Sequence, residues 1–228
     1  MALSVGDGLF HLTSALLFMY QITDMDRTPD LGSLLKAPST ITYKNIQATT
    51  FNKVSVQTSL PIFIFDLTGI KHILQLANEA IHELRASHPG IESNVVADYR
   101  SPWKSHTLNA KLLPLCEVVS SLTTQVSGEG YTGNRDALGL KVFVNDCWGA
   151  IYGEGGYAER HHHHPATFSA IVYLETDESA SPIIFGNNDA YPAKENTLYI
   201  FPGHLEHEVH KNMGKRIMVA MNMYLLPA

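Results

Sequence analysis

Cysteine is nearly missing from this chain. Cys116 and Cys147 are its two thiols in 228 residues, too few for a disulfide-stapled scaffold and in keeping with free thiols in a reducing, cytoplasmic compartment. Charge is also scarce. Charged residues make up 17% of the chain, against roughly a quarter in an ordinary globular protein. The net charge is −6, and no Lys/Arg run appears anywhere. A nucleic-acid binder needs a cationic face to displace counterions from phosphates, so that class of partner is excluded. An uninterrupted apolar span is lacking too. The first twenty-two residues, MALSVGDGLFHLTSALLFMYQI, are mostly apolar but broken by Asp7 and His11, with no basic leader and no small-residue cleavage site. That pattern reads as a buried element or an oligomer contact, compatible with a homodimer, and not as a membrane span or a signal peptide.

What is present is enough apolar material, 45% of residues, for a sizeable core. No repeat or low-complexity linker divides the chain, so residues 1–228 read as one domain. Residues 1–135 form a first part of strands and supporting helices, and residues 136–228 a strand-rich second part. The stretch 27–40, RTPDLGSLLKAPST, has the Pro, Gly and Ser content of a loop. Residues 41–60 are rich in β-branched residues, and PIFIFDL (61–67) reads as a further strand. Two helices follow. In the first, Ile70, Ile73, Leu74, Ala77, Ala80, Ile81 and Leu84 recur every three to four positions before His88-Pro89-Gly90 closes the segment. The second spans about 109–126, with Pro114 tolerated if it falls in the first turn. From residue 140 onward, short apolar runs separated by Gly, Pro, Asn and Asp predict a sandwich or barrel. The expected class is mainly β (α+β): a double-stranded β-helix, or cupin-like jelly roll, with the N-terminal helices packed outside.

The chemistry concentrates in two histidine clusters. Residues 161–164 are four consecutive histidines, and His204, His207 and His210 follow some forty residues later. Two histidines at i and i+2 on a strand point to one side. With a third from a later strand they can cap one face of an octahedral metal and leave the remaining positions open. Arg216 follows the second cluster at the start of an apolar strand. A planar guanidinium that never loses its charge suits a carboxylate.

Three stretches in order, CWGAIYGEGGY (147–157), HHHHPATFSAIVYL (161–174) and FPGHLEHEVHKNMGKRIMVAMNMY (201–224), resemble the 2-oxoglutarate- and Fe(II)-dependent oxygenases. The likeness is to the small prolyl-hydroxylase-like branch of bacteria and phages. It covers about residues 140–226, with a looser match in SNVVADYRSPWKSHTL (93–108). It implies an oxygenase that hydroxylates a C–H bond of a peptidyl side chain or small metabolite and releases succinate and CO2, with Fe(II) and 2-oxoglutarate as cofactors. Run without a gap from Trp148 through Tyr157 to Ser169 and Tyr173, it places the metal ligands at His161 and His163. Anchoring instead on His-x-His-Pro selects His162 and His164. His207 matches the third ligand, with His204 and His210 as neighbours. Arg216 matches the residue that holds the distal carboxylate of 2-oxoglutarate, and Tyr152 or Tyr173 can add a hydroxyl.

Two departures stand out. The second ligand of the superfamily is usually a carboxylate, whereas here it is a histidine. The metal is then held by three histidines, by a carboxylate from elsewhere such as Glu159 or Asp189, or by two histidines and water. Ala150 also stands where the family often has Asn. Two rival readings follow: a cupin-like metal enzyme or sensor that does not use 2-oxoglutarate, and a non-catalytic barrel with a vestigial site. Cupins normally add a glutamate shortly after their His-x-His, and PATFSA contains none.

Overall fold

In the computed structural model the described residues are 39–43, 46–51, 59–127 and 140–227. The apolar stretch 1–22, and the expectation of an oligomer contact that rests on it, lie outside them, as do residues 27–38 of the predicted loop. The chain divides into two compact units, 1–58 and 59–228. In the first, β1 (Ser39–Tyr43) and β2 (Ile46–Phe51) form an antiparallel pair. The predicted loop therefore ends two residues early, because Ser39 and Thr40 pair with Phe51 and Thr50.

The second unit carries two sheets. The larger has the order β3-β11-β8-β13-β6-β5 and the smaller β10-β9-β12-β7-β4. The strands of the large sheet are β3 (Phe63–Asp66), β5 (Tyr99–Arg100), β6 (Leu140–Tyr152), β8 (Phe168–Thr176), β11 (Thr197–Pro202) and β13 (Arg216–Pro227). Those of the small sheet are β4 (Val95–Val96), β7 (Tyr157–His161), β9 (Ile183–Phe185), β10 (Asp189–Tyr191) and β12 (His207–Val209). Neighbours pair antiparallel throughout.

The central strands of the large sheet are buried on both faces, which is why β8 and β11 read as continuous apolar runs. Alternation divides each strand between two cores. Cys147 and Ile151 of β6, Val172 and Leu174 of β8, Leu198 and Ile200 of β11, and Val219 and Met221 of β13 share an outer core with the helices. Trp148, Ala150, Tyr152, Ile171, Tyr173, Tyr199, Phe201, Met218 and Ala220 form an inner core, closed by Ile183 and Phe185 of the small sheet. The architecture is a two-layer jelly roll around that inner core.

The helices cover the outer face. A short 3₁₀ turn (Thr68–Ile70) leads into α1 (Lys71–Ser87), which buries Leu74, Ala77, Ala80, Ile81 and Leu84. These belong to the stripe read from the sequence, with Ile70 and Ile73 half-buried at its edge. The His88 amide closes the helix on the Leu84 carbonyl at 2.8 Å. After the single turn α2 (Ser105–Leu108), the helix expected over 109–126 divides. Ala110–Leu112 is 3₁₀, with the Asn109 side chain accepting from the Lys111 amide, and α3 (Leu113–Val126) begins with Pro114 in its first turn. Gly149 lets α1 sit directly on the sheet, since a Cβ there would overlap Ile81. Cys116 and Cys147 are both buried and unbridged. No helix among the described residues is long and apolar enough to cross a membrane.

Candidate metal centre

β7 and β12 are neighbours in the small sheet, and their register sets His161 opposite His207. His163 lies two residues past the end of β7. Its amide donates to the Gly203 carbonyl at 2.6 Å, and its own carbonyl accepts from the Ala166 amide at 2.8 Å. The strand pairing and this tight connection bring the three side chains together, with one ligand atom from each within 4.8 Å of the others. Ring centroids are 4.4 Å apart for His161 and His207, and 5.0 Å apart for each of the other two pairs.

The tautomers follow from the backbone. His161 Nδ1 lies 2.6 Å from the Glu159 carbonyl oxygen and His207 Nδ1 lies 3.0 Å from that of Leu205. A carbonyl can only accept, so both Nδ1 atoms carry the proton and both Nε2 atoms present a lone pair. This is how metal-ligating imidazoles are usually oriented. His163 Nε2 stands 3.3 Å from His207 Nε2. Two nitrogens at about 2.1 Å from a shared cation, on adjacent octahedral positions, are roughly 3 Å apart, so the spacing suits a bridging ion.

Burial keeps the three rings neutral. It pulls the His163 pKa down to about 3, helped by His161, His162 and the Arg100 cation, and it lowers His207 well below its usual value and His161 as well. The surroundings explain the size of the effect. His207 packs against Phe185 and Phe201 at centroid distances of 5.8 and 4.9 Å, and His163 lies 5.8 Å from Trp148.

The other sequence candidates fall elsewhere. His162 and His164 are exposed, as the one-residue offset in register requires. His204 and His210 are exposed beyond the triad, and so are Glu159 and Asp189. Among the described residues the cluster is thus three histidines with no carboxylate.

Arg216 opens β13 opposite Tyr152 of β6 and Thr176 of β8. It is fully buried. One terminal nitrogen donates to the Ser181 carbonyl at 2.8 Å and the other to the Tyr173 hydroxyl at 3.1 Å, while Nε has no partner. Its Cζ lies 4.9 Å from the Tyr152 ring centroid and 5.1 Å from that of Tyr173. Burial raises the pKa of both phenols, partly offset by the Arg216 charge, so both keep their protons as donors. Tyr152 and Tyr173 belong to the same inner core as Trp148, Phe185 and Phe201, so Arg216 and the triad face one shared interior.

Reading the sequence missed Arg100. It sits in the segment 93–108, which drew notice without a role for any one residue, and it is buried with no hydrogen-bond partner at Nε or either terminal nitrogen. No local signal gave it a role, since its contact with Trp148, 48 residues on, exists only through the fold.

No protein-family model matches the chain, and no curated protein matches it by sequence. Solved structures do match by shape. A prolyl-4-hydroxylase from Pseudomonas putida superposes with a TM-score of 0.55 at 15% identity, over 72% of this chain and 91% of that one. A Trichoplax adhaerens prolyl hydroxylase, solved in complex with a peptide fragment of the hypoxia inducible factor oxygen degradation domain, gives the same score and identity over 72% and 83%. The chain shares the jelly-roll fold of these hydroxylases.

Proposed function

We propose that this protein is an Fe(II)- and 2-oxoglutarate-dependent oxygenase that hydroxylates a C–H bond of a peptidyl side chain or small metabolite, releasing succinate and CO2. The observation that carries the reading is the joint placement of three convergent imidazole donors and a buried arginine around one interior. His161, His163 and His207 would hold the metal through their imidazole nitrogens. Bound there, the iron supplies oxygen activation. Arg216, with its Nε–H unpartnered and Tyr173 beside it, would receive the distal carboxylate of 2-oxoglutarate, and the Tyr152 ring lies against the same guanidinium. Phe185, Phe201 and Trp148 keep water from the reacting atoms. The shared fold supports the reading, as does the peptide complex of the Trichoplax enzyme for a peptidyl substrate. The two unbridged thiols support a cytoplasmic setting, and a homodimer through the apolar N-terminal stretch belongs to the same proposal.

The test is anaerobic. Fe(II) and then 2-oxoglutarate are added to metal-free protein, and the weak visible charge-transfer band of the chelate is recorded. The reading expects a band in the wild type and in His162→Ala, and none in His161→Ala or Arg216→Ala. Stoichiometric metal binding with no band removes the oxygenase and leaves a cupin-like metal protein.

A further inference from the structure

Arg100 lies on β5 opposite Ala150 of β6. That pairing puts its side chain on the inward face, with Trp148 and Tyr152, whereas Tyr99 joins the outer core. The residue is 3% exposed, and none of its three guanidinium nitrogens has a hydrogen-bond partner. No ion pair reaches it among the described residues. Arg216 on the same interior has two hydrogen bonds, so the orphaning of Arg100 is not a general property of this core.

Its contacts are aromatic. Cζ lies 3.7 Å from the Trp103 ring centroid and 5.2 Å from that of Trp148. The two indoles meet edge-on at 4.8 Å, and Trp148 reaches on to His163. Burial lowers the pKa to about 10 against the opposing pull of Tyr152 and Asp146, so the group stays charged at neutral pH. Stacking on indoles returns part of the cost of desolvating a cation, but it satisfies none of the five N–H donors. Trp103 is 43% exposed, although its ring lies against the buried guanidinium.

A buried, charged and unpartnered fork calls for a planar anion that accepts two parallel hydrogen bonds, and a carboxylate has that form. Peptide carbonyls would occupy donors without neutralising the charge. We propose that Arg100 anchors the carboxylate of the primary substrate, a small carboxylic acid held beside the Trp103–Trp148 pair on the inner face that also carries His163. The word substrate rests on the oxygenase reading; the acid-binding site does not.

The chain has two tryptophans, Trp103 and Trp148, and both contact Arg100, so tryptophan fluorescence reports on this site and needs neither metal nor turnover. Metal-free full-length protein is titrated with glycolate, L-alanine, L-proline and benzoate, and with the amide of each. At least one acid gives a saturable change in emission, and its amide binds at least tenfold more weakly. Arg100→Gln abolishes the response, Arg100→Lys weakens it at least tenfold, and Arg216→Gln retains it, with circular dichroism checking each fold. No response to any acid, amides equal to acids, or a wild-type response in Arg100→Gln overturns the anchor. So does a response to 2-oxoglutarate that needs Arg100 and not Arg216, since it gives Arg100 to the cosubstrate. A charge-transfer band without an acid response sinks the anchor alone. An acid response without a band supports the site and removes only the oxygenase.

Discussion

Replacing Arg216 by Met separates the two roles a buried cation can have. The side chain donates two hydrogen bonds, to the Ser181 carbonyl and the Tyr173 hydroxyl. Charge-assisted bonds are worth about 1.5–3 kcal/mol each. Against that stands the penalty for burying the cation, which is of order several kcal/mol and has no acid to offset it. The two nearly cancel, so Arg216→Met changes the stability of the free protein by less than about 2 kcal/mol in either direction. Cosubstrate binding has no such cancellation. Losing a carboxylate's charge-assisted pair at about 3 kcal/mol, with 1.4 kcal/mol per tenfold, weakens 2-oxoglutarate by roughly a hundredfold. Arg216→Lys keeps the charge but not the fork and falls between, at about tenfold. The assay is an anaerobic titration of the Fe(II) protein with 2-oxoglutarate, read at the charge-transfer band and paired with urea unfolding of the metal-free forms. If Arg216→Met binds 2-oxoglutarate within threefold of wild type, this reasoning is wrong.

Other tests address the metal centre and the scaffold. His161→Ala, His163→Ala and His207→Ala should each abolish stoichiometric Fe(II) binding, while His162→Ala and His164→Ala stay within about twofold, because those rings are exposed and outside the cluster; anaerobic metal titration decides. Metal-free protein should lose stability as pH falls. The three ligand histidines have folded pKa values below the unfolded value near 6.5, about 3 for His163. The unfolded chain therefore binds more protons below pH 6.5, and the contribution is complete above that pH and lost toward pH 3, at up to about 1.4 kcal/mol per pH unit for each ring. Urea midpoints for the wild type that stay flat from pH 7 to 4.5 would count against this. Gly149→Ala should cost about 1–3 kcal/mol, because the added Cβ meets fully buried Ile81 and the core is overpacked. Ile81→Val in the same chain should recover part of that loss in chemical denaturation.

Much of the scaffold was legible because periodicity is a local property. The spacing of Leu74, Ala77, Ile81 and Leu84 marked the inner face of α1, and the apolar runs after residue 140 marked the strands of a sandwich or barrel. Boundaries were less legible. The helix expected from 109 begins as a 3₁₀ turn, since the Asn109 side chain captures the Lys111 amide before the α-helical pattern starts. The edge of β1 was missed because Ser39 and Thr40 carry loop-like side chains, and only their pairing with Phe51 and Thr50 makes them strand.

The sequence by itself determined that two histidine clusters would meet in a β-rich domain and that an arginine would open the last strand, because residue types and order are all that those inferences need. Strand alternation alone could not separate His161 with His163 from His162 with His164, since both pairs satisfy the same i, i+2 rule; the ungapped resemblance favoured the first pair. In the tertiary structure it is the first pair that lies together with His207. Only the pairing of β7 with β12 sets His161 against His207, and only the bond from the His163 amide to Gly203 turns that ring to the same point. The tertiary structure likewise set which arginines are buried. Burial and the lack of partners are relations among residues distant in the chain, so nothing local to Arg100 could reveal a charge enclosed by two indoles with its donors unmet.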